Sequence, residues 1–296
     1  TKMIQLENPK GLWLPLVTPF RAGAIDSASL KRLISHYAKR DISGFILAAT
    51  TGEGQLLSAA ELEQLVRISA EELSRLKAPQ KLYLGLSGSD PLKVRDELQR
   101  IANWPVDGYL ISGPNYLRPA QQGLLSYYRQ IAQCTEKPII LYNIPYRTGV
   151  NIENDTMLEL AELPNIVGVK DCCGDVQQSY DLIRMAPKTF SVLTGEDPFF
   201  YNAMVHGAAG AILTGAHVLA DVHLEIMKHL RNGNQTTALE KWNAVVHVPG
   251  LLFSEPSPAP LKFWLNTIGL IDDAEVRLPF VPAGEELATK LSSAIK

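Results

Sequence analysis

Short apolar or β-branched runs recur along the chain, each followed by a longer stretch with apolar residues at helical spacing. The runs are LWLPLVTP (12–19), GFILAA (44–49), LYLGLS (82–87), GYLISG (108–113), PIILYN (138–143), IVGVK (166–170), SVLTG (191–195) and GAILTG (210–215). Their length and composition predict buried strands. Between them, segments such as DSASLKRLISHYAKR put Leu30, Leu33, Ile34 and Tyr37 on one helical face. Ser58 followed by Glu61 predicts a capping box at the start of the second helix. Each connection is long enough for a helical crossover, so adjacent strands should run parallel. Eight strand–helix pairs predict a closed (β/α)8 TIM barrel over residues 1–231. An open doubly wound sheet competes, but no G-x-G-x-x-G fingerprint follows any strand. Residues 232–296 lack comparable strand runs and predict a C-terminal helical appendage. In it, TTALEKWNAVVHVPGLLF and PAPLKFWLNTIGL read as helices, with SEPSP (254–258) as a rigid turn between them.

Composition narrows the setting. With 46% hydrophobic and 20% charged residues the chain resembles a globular protein with ample core. A net charge of −3 gives no electrostatic reason to expect nucleic acid or an anionic membrane surface as partner. No charged-then-apolar leader opens the sequence, and no run reaches the ~18 apolar residues of a membrane span. Cys134, Cys172 and Cys173 make an odd count without a C-x-x-C, which points to free thiols in a reducing, cytoplasmic setting.

Barrel enzymes carry their chemistry at the carboxyl ends of the strands. Here those ends are TTGEG, SGPNYLRP, YNIPYRTG, VKD and TGED. Lys170 closes an apolar run. Desolvation there would disfavour its charged form and leave an amine able to attack a carbonyl. A lysine that snorkels to water or pairs with Asp171 is the commoner explanation of such a residue taken alone. Thr50, Thr51, Tyr116 and Tyr142 offer hydroxyls at strand ends, suited to proton relay when held together. Arg147 lies in a turn where a guanidinium could take a carboxylate. His223 and His229 are not spaced as zinc ligands on a helix, so no metal site is expected. Glu53 and Asp171 could form a carboxylate pair for glycoside hydrolysis, but nothing in the sequence fixes their separation.

TTGEG, YNIPYRTG and VGVKD, in this order, resemble the dihydrodipicolinate synthase and N-acetylneuraminate lyase family of class I aldolases. The likeness runs from about residue 11 into the C-terminal helices. It implies a pyruvate Schiff base on Lys170, with Tyr142 handling protons. Thr50 and Thr51 would supply hydroxyls, and their backbone amides would hold the pyruvate carboxylate. Tyr116 would enter a neighbouring subunit's site to complete a relay with Thr50 and Tyr142. Gly195 and Ile212 would line the pyruvate pocket. TTGE together with Arg147 resembles the synthases, which condense pyruvate with L-aspartate 4-semialdehyde to 4-hydroxy-tetrahydrodipicolinate on the lysine and diaminopimelate route. Arg147 would bind the semialdehyde carboxylate. The resemblance implies no cofactor and a homotetramer built as a dimer of dimers. A sister aldolase acting on a 2-keto-3-deoxy sugar acid or on N-acetylneuraminate remains open, as does a non-catalytic barrel. Asn115, LTGAH (213–217) and KDCCGD depart from the usual synthase pattern near the pocket.

Overall fold

A computed structural model describes residues 6–295; residues 1–5 and 296, the ends of the predicted barrel and tail segments, lie outside the described residues. The predicted strands are present as β1 Gly11–Pro15, β2 Gly44–Leu47, β3 Lys81–Leu86, β4 Gly108–Ser112, β5 Ile139–Asn143, β6 Ile166–Asp171, β7 Ser191–Thr194 and β8 Gly210–Ile212. They form a closed barrel in the ring order β1-β8-β7-β6-β5-β4-β3-β2. The register-defined pairs are parallel, as the crossovers require. Each strand is followed by a helix: α1 Ser27–Tyr37, α2 Ala59–Leu76, α3 Pro91–Arg100, α4 Gln121–Ala132, α5 Asn154–Leu160, α6 Val176–Met185, α7 Phe200–Val205 and α8 Ala216–Arg231. Helices cover the outer face of such a sheet, so its strands are buried on both sides and read as continuous apolar runs.

Several boundaries fall short of the apolar pattern for local reasons. β2 stops at Leu47 because Ala48 turns into the left-handed region, at φ 54°. β1 stops at Pro15, and the chain continues extended, with Leu16 N–H donating to Ile46 O at 3.0 Å. The capping box of α2 forms as expected, with Glu61 N–H bonded to Ser58 Oγ and Ser58 N–H to Glu61 Oε2. Leu30, Leu33, Ile34 and Tyr37 are the buried face of α1, joined by Ser29.

By contacts the chain forms two compact units. One holds residues through Gly11 and Tyr83–Ile212; its core is made by β3–β8 and the helices α3–α7. The other holds Leu12–Leu82 and Leu213–Lys296, which include β1, β2, α1, α2, α8 and the C-terminal helices. Those helices are α9 Gln235–Val245, α10 His247–Leu252, α11 Ala259–Thr267 and α12 Glu285–Ala294. The predicted single helix over 236–253 is broken after Val245. Pro249 has no N–H to give that residue's carbonyl. The helix α12 was not apparent in the sequence, because Leu287 and Leu291 are its only buried anchors. The antiparallel pair Phe20–Arg21 and Ala24–Ile25 is too short to leave a periodic signal.

In the second unit a buried histidine ties α8 to the end of β1. His217 Nε2 accepts from Val17 N–H at 3.2 Å, so Nδ1 carries the proton and donates to Thr214 O at 2.8 Å. Tyr37 packs edge-on against the ring and donates to His217 O at 2.6 Å. Burial lowers the imidazole from 6.5 to about 4, partly opposed by the bond to Thr214 O. The unfolded chain therefore takes up this proton first as pH falls. The stabilisation is complete above pH 6.5 and is lost on descent towards pH 4, a change of about 3 kcal/mol. Urea melts between pH 7 and 4.5 check this: the loss of midpoint should be clearly smaller in His217→Asn than in the wild type. Parallel losses would assign the acid sensitivity to other groups.

Candidate active site

Lys170 is the fifth residue of β6 and is 4% exposed, so the strand carries its amine into the interior. The β5–β6 register pairs it with Tyr142. Side chains at paired positions point to the same face. Lys170 Nζ accordingly lies 4.4 Å from the centroid of the Tyr142 ring. Burial pulls the lysine below its ordinary value of 10.5. Cys172, Asp197 and Glu196 oppose the fall, and Arg147 adds to it. The ion pair with Asp171 that the sequence allowed does not form. The Asp171 carboxylate instead accepts from Ser179 Oγ at 2.5 Å and from Cys173 N–H at 3.1 Å.

Gly195 follows β7 and is defined by the lysine beside it. A Cβ there would stand 2.7 Å from Lys170 Cε and 2.8 Å from its Cγ, and would also strike Cys172 Sγ. Glu196, next in chain, is raised above the ordinary carboxyl range by burial, against the pull of the Cys172 thiol, Lys170 and Tyr146. Cys172 is itself buried, and burial raises its thiol well above 9.0. Burial thus works against the charged form of both groups. Neither residue was picked out from the sequence as functional. KDCCGD was noticed there only as a departure from pattern. Ile212, the last residue of β8, is fully buried.

Arg147 lies on the one-turn helix Pro145–Thr148 after β5, exposed, with its guanidinium 5.6 Å from the Tyr146 ring. Tyr116 is 91% exposed and sits at φ 71°, its N–H bonded to Thr148 O at 3.0 Å.

In the second unit the chain after β2 makes a tight turn. Glu53 N–H bonds to Thr50 O at 3.1 Å, and Gly54 N–H to Ala49 O at 3.2 Å. Thr50 is half-buried and Thr51 buried, the latter's hydroxyl 2.8 Å from that of Thr214. Thr18 Oγ donates to Gly52 O at 2.6 Å. The Glu53 side chain is bonded to Lys262, 209 residues further on. Among the described residues no cluster of His, Cys, Asp or Glu could hold a metal ion. No helix among them is long and apolar enough to cross a membrane.

A closed parallel barrel with a desolvated amine at a strand end, facing a tyrosine, defines a barrel built for a lysine nucleophile. The chain belongs to the Dihydrodipicolinate synthetase family, whose profile it matches over residues 8–296. It is 41% identical over 283 residues to 4-hydroxy-tetrahydrodipicolinate synthase 2 of Clostridium acetobutylicum, covering 96% of this chain and 98% of that one. Among solved structures it is similar to the chloride-inhibited dihydrodipicolinate synthase of Acinetobacter baumannii complexed with pyruvate. The TM-score is 0.91 and the identity 31%, over 97% of each chain. A structure described as the first monomeric dihydrodipicolinate synthase variant matches at TM-score 0.92 and 28% identity, over 97% of this chain and 95% of that one.

The Gly195 contact generates a test. In Gly195→Ala the methyl must displace the lysine. Trapping of Lys170 by a small keto acid and borohydride should slow by about 10²-fold, the cost of misplacing a reacting group by about an ångström. Trapping at the wild-type rate would show that the amine does not need its present position.

Proposed function

We propose that the chain condenses pyruvate with L-aspartate 4-semialdehyde to 4-hydroxy-tetrahydrodipicolinate through a Schiff base on Lys170. The observation that carries this reading is the buried amine of Lys170, in register with Tyr142 and 4.4 Å from its ring. Synthases bearing that activity in their names are the relatives of this chain, at up to 41% identity.

The neutral amine attacks C2 of pyruvate, and the carbinolamine loses water to give the imine. Departure of that hydroxyl needs a proton, which Tyr142 supplies in this reading; its ring, 4.4 Å from the amine, supports that role. The cationic imine then acidifies the methyl group. Its proton leaves to the relay, and the resulting enamine carbon attacks the aldehyde. The semialdehyde's own amine displaces Lys170, which closes the ring and returns the free lysine. Desolvation matters twice, keeping the amine unprotonated at the start and making its loss as a leaving group feasible at the end.

The other roles follow the resemblance. Thr50 and Thr51 hold the pyruvate carboxylate through backbone amides, and Thr50 passes protons with Tyr142. Gly195 and Ile212 bound the pyruvate pocket. Tyr116 serves a neighbouring copy in a homotetramer arranged as a dimer of dimers. Its ring, fully presented to solvent on a backbone bonded to Thr148 O, supports that role. Arg147 binds the carboxylate of the second substrate. The exposure of Arg147, with its guanidinium 5.6 Å from the Tyr146 ring, supports this. The free thiols of Cys134, Cys172 and Cys173 support a reducing, cytoplasmic setting.

Pyruvate with borohydride should add a reduced pyruvyl group to the peptide containing Lys170, read by mass spectrometry. Labelling of another lysine, or none, would overturn the mechanism. Arg147→Ala should raise the KM for aspartate semialdehyde by about tenfold or more, the worth of one charge-assisted contact, with a much smaller change for pyruvate. An unchanged semialdehyde KM, with pyruvate release from a 2-keto-3-deoxy sugar acid, would move the assignment to a sister aldolase.

A further inference from the structure

The second unit contains a second buried lysine, which the reaction does not use. Lys262 on α11 and Glu53 after β2 both have fully inaccessible side chains, and Lys262 Nζ lies 2.5 Å from Glu53 Oε2. The other carboxylate oxygen accepts from Arg277 N–H at 2.9 Å. The ammonium also donates to Glu275 O at 2.8 Å. Two cations flank the Phe20 ring, with Lys262 Nζ 4.3 Å and Arg277 Cζ 4.1 Å from its centroid. The Arg277 guanidinium then bonds Leu56 O, Gly23 O and Glu61. Two donors from the C-terminal stretch, 209 and 224 residues away in sequence, thus converge on one carboxylate.

That carboxylate belongs to a strained turn. Ala48 and Glu53 are both left-handed, at φ 54° and 53°. Non-glycine residues hold that conformation only where their surroundings over-determine it. Gly54 packs so closely on Ala48 that a Cβ would overlap the Ala48 carbonyl. Between these positions lie Gly52 and the pair Thr50 and Thr51, whose backbone is assigned above to the pyruvate carboxylate. A buried ion pair is a poor device for stability alone, since well-packed apolar residues of similar volume often serve as well or better. It can, however, fix one backbone geometry among several.

We propose that Lys262 is a positioning residue: by holding Glu53 it presets the Thr50–Gly52 turn to receive the carboxylate of pyruvate. The proposal rests on the synthase reading for its substrate. It assigns to the C-terminal helices a part in the binding of the first substrate, without contact with it. The interactions it invokes lie wholly within the second unit.

The test uses the full-length chain and three variants, Lys262→Met, Glu53→Gln and the double variant. The readouts are pyruvate KM, kcat, the rate of borohydride trapping on Lys170, and Tm. Lys262→Met should raise pyruvate KM by about tenfold or more while kcat at saturation falls far less, as expected when preset binding is lost and chemistry is kept. It should also lower Tm, because Glu53 is left buried without its partner. In the double variant Tm should recover while pyruvate KM stays high. Recovery of KM together with Tm would reduce the pair to a structural support and overturn the proposal. So would a wild-type pyruvate KM in folded Lys262→Met. If Lys262→Met does not fold, the double variant decides alone, a wild-type KM counting against the proposal and a raised KM for it. Trapping on wild-type Lys170 needs no aldehyde, so its absence would indict the Schiff-base reading rather than the role of Lys262.

Discussion

Taking an ammonium group out of water costs several kcal/mol unless a counter-charge meets it closely. At the end of β6 no carboxylate comes within ion-pair distance of Lys170 among the described residues. Asp171, the nearest in sequence, is committed to Ser179 and Cys173. Burial disfavours the charged forms of Cys172 and Glu196 as well. Burial therefore disfavours the charged form of the amine, and the pairing of β5 with β6 sets a tyrosine against it. The close packing of Gly195 and the depth of Ile212 are consequences of admitting a long side chain into a barrel interior that must otherwise be filled.

The contrast with Lys262 shows that burial alone does not make a nucleophile. Both lysines are lowered by desolvation, but at Lys262 the charge and hydrogen bond of Glu53 oppose the fall. The ammonium of Lys262 is spent on a carboxylate and a carbonyl, and it fixes a backbone. The amine of Lys170 faces the Tyr142 ring, with no carboxylate within ion-pair distance among the described residues. The difference lies in whether an oxygen ligand was placed within 3 Å.

This also explains what the sequence discloses. A charged residue closing an apolar run is visible in one dimension, so Lys170 and its strand could be recognised together. The eight strands were legible for the same reason: burial on both faces leaves continuous apolar runs. The α2 cap was legible because its two residues are three apart. By contrast, Glu53 and Lys262 meet across 209 positions, and Val17 and His217 across 200. No local pattern encodes such pairings. A glycine required by the approach of another side chain, as at Gly195, looks in the sequence like any turn glycine. Glu196 and Cys172 gain their character from burial beside an amine, which is a tertiary property.

The division between strand and loop also separates two kinds of specificity. The groups assigned to pyruvate lie on strands or in turns closed by backbone bonds: Lys170, Tyr142, Ile212 and the Thr50–Gly52 segment. Lys170 and Tyr142 are held by the barrel ladder, and the turn after β2 is closed by its own backbone bonds. The group assigned to the second substrate, Arg147, stands exposed on a one-turn helix against Tyr146. Nothing in the ladder fixes it, and a change in that short segment would move the guanidinium without disturbing Lys170. On the proposed roles, activation of pyruvate would be bound to the fold, whereas the choice of aldehyde would rest on a surface segment that can vary with little cost to the core.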